Sequence, residues 1–179
     1  MPAILAEILS LIQYKSEVGN NPNVERPAFC IRCGVADPWK HATYPRQSDR
    51  INTSSLSLNP VLIQRYYCSD CHRTFSVLPE CIPPRRWYLW DMQAMVLLLC
   101  LAGTSASAVA KEVLPSRQTV RRWFKHFQAQ YRLHRDVLCG HFVELGRFSG
   151  LSGFWQAALK TVPLSTAMRL CHVAGVAIP

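Results

Sequence analysis

Acidic residues are scarce in this chain. Asp and Glu total 11 against 20 Lys and Arg, a net charge of +9 with a pI near 9.4. That shortage of carboxylates favours a polyanionic partner, nucleic acid first among them. Long apolar runs are missing too. The longest clean stretch is Ala94 to Ala102, far short of the roughly 20 residues a membrane span needs. Met1 to Gly19 has no basic segment, and Glu7 interrupts its apolar run, so no export signal is expected. Internal repeats and low-complexity tracts are lacking. Gly150-Leu151-Ser152-Gly153 has no following Lys and is not a phosphate loop. With no nucleophile–base pair in view either, the protein is expected not to be an enzyme. A cytoplasmic, nucleoid-associated location follows from the same features.

Cysteine, by contrast, is plentiful: there are eight. In a reducing cytoplasm clustered cysteines bind metal rather than form disulfides. Four of them form two pairs, Cys30-Ile31-Arg32-Cys33 and Cys68-Ser69-Asp70-Cys71. Two Cys-x-x-Cys pairs supply the four soft ligands that Zn²⁺ takes in a tetrahedron, so one Zn²⁺ per chain is expected. Cys81 or His72 stands as an alternative fourth ligand. The separation of the pairs suits a zinc ribbon, with strands at Trp39 to Gln47, Val61 to Tyr67 and Arg73 to Leu78. Gly34 can supply the positive φ that a knuckle needs.

The expected fold class is therefore α+β, a β-rich zinc ribbon followed by an all-α helix-turn-helix bundle. Four segments are expected. Residues 1–27 hold an amphipathic helix over 3–15 and a linker from Glu17 to Pro27; that helix packs on the ribbon or pairs with a second copy. Residues 28–84 form the ribbon, in which Lys40, His41, Tyr44 and Arg46 are expected to be exposed and Arg50 to Pro60 reads as a loop. Residues 85–140 hold an apolar helix from Trp87 to Leu101, a short helix from Ser107 to Val113 capped by Thr104 or Ser105, and a third from Ser116 to about Val137. Residues 141–179 carry short helices at Phe154 to Lys160 and Leu164 to Val173.

On the third helix Val120, Trp123, Phe124, Phe127 and Tyr131 recur at three and four, the stripe of a core-facing helix. Off that stripe lie the residue types that read DNA. Arg bonds guanine bidentately and Gln does the same with adenine, so Arg117, Gln118 and Arg121 are the base-reading candidates. Ser116, Thr119, Arg122 and Lys125 suit phosphates, joined by Arg85, Arg86, Lys40 and Arg46. Trp87, Tyr88 and Trp90 beside Arg85-Arg86 can stack on nucleic acid or fill a seam between modules. Cys100 reads as core, and His126, His134 and His141 as surface or packing residues.

The order Cys30-x-x-Cys33, Tyr44-Pro45-Arg46, then Arg65-Tyr66-Tyr67-Cys68-x-x-Cys71-x-Arg73-Thr74-Phe75-Ser76-x-Leu78-Pro79 resembles the zinc ribbon of insertion-sequence transposases and their accessory proteins. The run Ser116-Arg117-Gln118-Thr119-Val120-Arg121-Arg122-Trp123 is similar to their helix-turn-helix. The resemblance implies a bacterial mobile-element protein that binds double-stranded DNA, as a homodimer or in a larger transposition or regulatory complex, with no membrane partner. It covers roughly residues 28 to 135. The catalytic part of that family is a three-carboxylate nuclease domain, and beyond residue 135 this chain offers only Asp136 and Glu144. Two functions fit these residues: sequence-specific DNA binding through the third helix, or an interaction module that holds a protein partner while the charge is incidental. A transposase remnant with no retained role is a third.

Overall fold

The computed structural model describes residues 2–21, 23–47, 58–84 and 88–179. The chain is a small α+β protein of two compact units, Met1–Leu89, which holds the strands, and Trp90–Pro179, which is helical. Arg85, Arg86 and Trp87 lie outside the described residues, as does most of the expected 50–60 loop. No helix among the described residues is long and apolar enough to cross a membrane.

The first unit is a four-stranded sheet in the order β1-β4-β3-β2, made of β1 (Ala3–Leu5), β2 (Trp39–Arg46), β3 (Val61–Cys68) and β4 (Arg73–Pro79). β3 pairs antiparallel with both β2 and β4, and β1 runs parallel to β4. Burial along β3 changes phase midway. Val61 and Ile63 are buried near its start, Tyr66 and Cys68 near its end. Because successive side chains alternate across a strand, these pairs serve opposite faces. Val61 and Ile63 join Ile8, Leu11, Tyr14, Leu78 and Ile82 in one cluster. Tyr66 and Cys68 join Cys30, Phe75 and Val77 in another.

The expected helix over residues 3–15 is not one helix. Residues 3–5 form the β1 edge strand, and α1 runs from Leu11 to Asn20, into the stretch expected to be a linker. Between them Glu7 takes φ 69°, and its N–H donates to the Glu80 carboxylate at 3.0 Å. Ser10 then caps α1 by accepting from the Gln13 N–H at 3.1 Å, a start signal inside the apolar run. A parallel β-ladder partner 74 residues away in sequence (Ala3 opposite Val77) outweighed the local helical period. α1 does pack on the sheet: Leu11 and Tyr14 are buried there, and the Tyr14 hydroxyl bonds the Glu25 carboxylate and the Leu62 carbonyl.

The second unit comprises α2 (Trp90–Leu101), α3 (Ala106–Glu112), α4 (Arg117–His141), a short 3₁₀ turn at Val143–Arg147, α5 (Leu151–Thr161) and α6 (Leu164–Val173). Ser105 caps α3 and Ser116 caps α4. α4 runs past the expected end near Val137, through Cys139-Gly140 to His141. α5 and α6 supply the core on which α4 rests: Phe154, Trp155, Ala158, Ala167, Met168 and Cys171 have no exposed surface. Trp155 meets the edge of Phe127 at 5.2 Å between centroids and that of His134 at 5.7 Å. Residues 141–179, weak in sequence pattern, are thus the buried support of the longest helix.

His134 is fully buried, with Nε2 2.9 Å from the Ala177 carbonyl and Nδ1 without a partner. The Ala177 carbonyl can only accept, so Nε2 carries the proton of the neutral ring and donates it to that bond. Burial holds the pKa down at about 4; the Ala177 bond opposes this, and His126 adds to it. The unfolded ring takes up its proton near pH 6.5, so between pH 6.5 and 4 the unfolded chain binds more protons and stability falls as pH falls. The loss amounts to about 3 kcal/mol across that window. Thermal melts from pH 7.5 to 4 should show this extra acid sensitivity in the wild type relative to His134→Gln, and the His134 ring resonance should titrate near pH 4.

Candidate metal centre and nucleic-acid interface

The four paired cysteines converge. Their Sγ atoms all lie within 4.8 Å of one another, with Cys30–Cys71 at 3.8 Å and Cys33–Cys68 at 3.5 Å. Those separations are far too long for disulfides, whose S–S bond is about 2.05 Å, and all four are free thiols. Each pair sits on a tight turn. In the first, Cys30 N–H donates to Val35 O at 2.7 Å and Gly34 N–H to Cys30 O at 2.9 Å. The residue after the second cysteine is left-handed in both turns, Gly34 at φ 77° and His72 at φ 51°. The glycine is what the spacing predicts. His72 adopts that conformation despite its side chain, while its Nδ1 lies 3.0 Å from the Tyr67 hydroxyl.

These four thiols can hold a metal ion. The Cys30 thiol is drawn down to about 6 by the backbone N–H of Cys33 against the effect of burial, with Arg32 N–H adding a bond at 3.5 Å. The Val35 N–H pulls on Cys33, but burial and the neighbouring sulfurs push that thiol up to about 12; Cys71 is raised by burial and then by Cys68 and Cys30. One thiolate forms readily and its neighbours then resist ionising, as like charges in a shared site do. A cation at the centre reverses that resistance. Neither alternative ligand belongs to the cluster: Cys81 is buried in the α1-side core, and His72 faces Tyr67.

In the second unit, α3 and α4 are joined by residues 113–116. Val109, Val120, Trp123 and Phe127 are buried between the helices and the core, and Phe124 and Tyr131 pack partly against it. The opposite face of α4 exposes Arg117, Gln118, Arg121, Arg122, Lys125 and Gln128. No acid occurs on α4 before Asp136. Ser116 spends its hydroxyl on the cap, accepting from Thr119 N–H at 3.3 Å with Thr119 Oγ1 3.1 Å away. A cleft of about 640 Å³ runs beside this face, lined by Thr104, Ser105, Phe124, Arg121, Lys125 and Gln128 among others, none of them acidic. Cys100, expected in the core, is half-buried on its wall.

The ribbon-side candidates fare differently. Lys40 and His41 are exposed on β2, as expected. Tyr44 is half-buried against the α1-side core. Arg46 is not exposed: its guanidinium donates to the Pro83 carbonyl, and burial lowers its pKa. Position 46 ends β2 opposite Val61, where the bond to the 79–84 segment replaces solvent. Sequence reading weighed His72 only as a metal ligand and did not pair it with Tyr67, a pairing that depends on the second turn's left-handed residue. The aromatic–basic run before Cys68 was the available signal.

No curated protein and no solved structure matches the chain. The family model described as Domain of unknown function (DUF6431) matches residues 30–123, more than half of the chain, from the first cysteine of the four-thiol cluster to the buried tryptophan of α4. The chain belongs to that family.

Proposed function

We propose that this is a zinc-dependent DNA-binding protein of the mobile-element type, built as a zinc ribbon followed by a helix-turn-helix, with no catalytic activity of its own. The observation that carries the proposal is the α4 face. Six exposed polar or cationic residues from Arg117 to Gln128 share a helix whose other side is locked by Val120, Trp123 and Phe127. A rigid helix with an acid-free outer face is what the major groove accepts, and its first turns lie nearest the base edges. Arg117, Gln118 and Arg121 then read bases, while Arg122 and Lys125 meet phosphates. The cleft beside Lys125, with the Thr104 and Ser105 residues on its wall, offers a seat for a further phosphate. Lys40 adds charge from the ribbon. Cytoplasmic residence and duplex DNA as partner belong to the same proposal.

Zinc suits the thiol cluster. A Zn–S bond near 2.3 Å sets tetrahedral S···S edges of about 3.8 Å, beside the 3.5 and 3.8 Å separations of the two closest pairs. The core cluster at this end of the sheet has only five buried members, two of them ligands, so metal binding supplies much of the local folding free energy. Cys68→Ser should lower zinc to well below one ion per chain by elemental analysis, and the first unit should lose its protection from proteolysis. Full zinc content in that variant would overturn the ligand assignment.

Binding to duplex DNA should weaken steeply as salt rises. A flat salt response, or no retention at low salt, would favour the interaction-module function. Arg121→Ala should cost about 1–3 kcal/mol on the preferred site and relax the base preference there. Arg122→Ala should weaken all sequences alike. Neither should move the melting curve by much, since both side chains are exposed. Trp123→Ala should instead destabilise the fold by roughly 3–5 kcal/mol. Selection from a randomised duplex library, with a melt of each variant, separates these outcomes.

A further inference from the structure

The sheet of the first unit leaves part of one face uncovered. Along β3, Val61 and Ile63 are buried beneath the α1-side core, whereas Arg65 is exposed and Tyr67 half-exposed further along. Residues paired across a ladder point to the same face, so the register places Trp39 and Thr74 beside Tyr67, and Ala42 and Ser76 beside Arg65. Trp39 is 67% exposed. The β2–β3 register shifts between Lys40 and Ala42, at His41, and that ring lies 6.1 Å from Tyr67 between centroids. The His72 ring lies 6.5 Å from Tyr67 on the other side, held by the 3.0 Å hydroxyl–Nδ1 contact. Trp39, His41, Tyr67 and His72 thus form an open row of rings at the metal-cluster end of the sheet. Small or short side chains, Ala42, Thr74 and Ser76, surround it and leave the ring faces accessible.

We infer that this face is a stacking platform for the unpaired bases of single-stranded DNA, separate from the α4 face proposed for duplex. Two features choose a single strand as that occupant, and DNA rather than RNA rests on the function proposed above. First, β2, β3 and β4 contain no carboxylate, and Arg65 shares the face of Tyr67; such a surface attracts a polyanion. Second, base–aromatic stacking needs the flat face of a base, which a duplex keeps inside its own stack and a single strand exposes.

The test uses the full zinc-loaded chain and fluorescence anisotropy of a labelled twelve-residue oligothymidylate, with an abasic strand of the same length and a hairpin duplex as controls. The wild type should bind oligothymidylate at least tenfold tighter than the abasic strand. Trp39→Ala should lose about tenfold on oligothymidylate, the scale of one lost stack, and little on the abasic strand. Trp39→Phe should retain binding, and His41→Ala should weaken it by a smaller factor. All these side chains are exposed, and a melt of each variant verifies folding. Arg121→Ala and Arg122→Ala should leave oligothymidylate binding within twofold while impairing the duplex, so the two surfaces fail or stand independently. Equal affinity for the base-bearing and abasic strands, or unchanged binding by both folded Trp39→Ala and His41→Ala, would overturn the inference. A tenfold preference for oligouridylate would overturn the choice of DNA.

Discussion

Bringing Cys30 and Cys33 within 4.8 Å of Cys68 and Cys71 closes a long loop within the first unit. The two turns, the β2–β3–β4 meander and the left-handed residues Gly34 and His72 are all conditions of that closure. The sheet around it has little else at this end. Tyr66, Phe75 and Val77 make a core too thin to hold two chain segments together unaided, and four clustered thiols repel one another once ionised. A metal ion held there would remove the repulsion and offset the loop-closure cost together. The hydrophobic residues of the other face, under α1, stabilise the rest of the sheet independently of the thiol cluster.

The second unit rests on a different principle. α4 is amphipathic over 25 residues, and its apolar side is enclosed by α2, α5 and α6 through Trp90, Leu97, Phe154, Trp155 and Met168. Enclosure on one side fixes the rotation of the helix, and so decides which side chains remain outside. Arg117, Gln118, Arg121, Arg122 and Lys125 are presented together because Val120, Trp123 and Phe127 have nowhere else to go. The carboxyl-terminal residues take part in this through the Ala177 carbonyl, which meets both His134 and His126.

Much of this was readable in the residues. The Cys-x-x-Cys pairs named the four thiols that meet, the three-and-four recurrence named the buried side of α4, and of the helix-start candidates Thr104, Ser105 and Ser116 the hydroxyls of Ser105 and Ser116 do cap. The amino-terminal segment was not readable in the same way. Ile4, Leu5, Ile8, Leu11 and Ile12 satisfy a helical period, but Ile4 and Leu5 pair with Leu78 and Pro79, and a period in one segment carries no information about a ladder partner so far along the chain. Arg46 looked like a free cation for the same reason, since its acceptor is the Pro83 carbonyl.

The sequence by itself determined the local chemistry: which thiols can share one ion, which helix has two unlike sides, where caps and turns interrupt the chain, and the excess of positive charge. Each depends on residues close together or on spacing that repeats. Tertiary structure alone decided what is covered. It turned β3 so that Ile63 is buried on one face and Tyr66 on the other, left Trp39 and Tyr67 beyond the reach of α1, drew Arg46 inward, and buried His134 with one nitrogen unpartnered. Coverage is a property of segments distant in sequence that meet in space, and the free energy of that meeting, apolar burial against desolvated polar groups, is set by both partners at once.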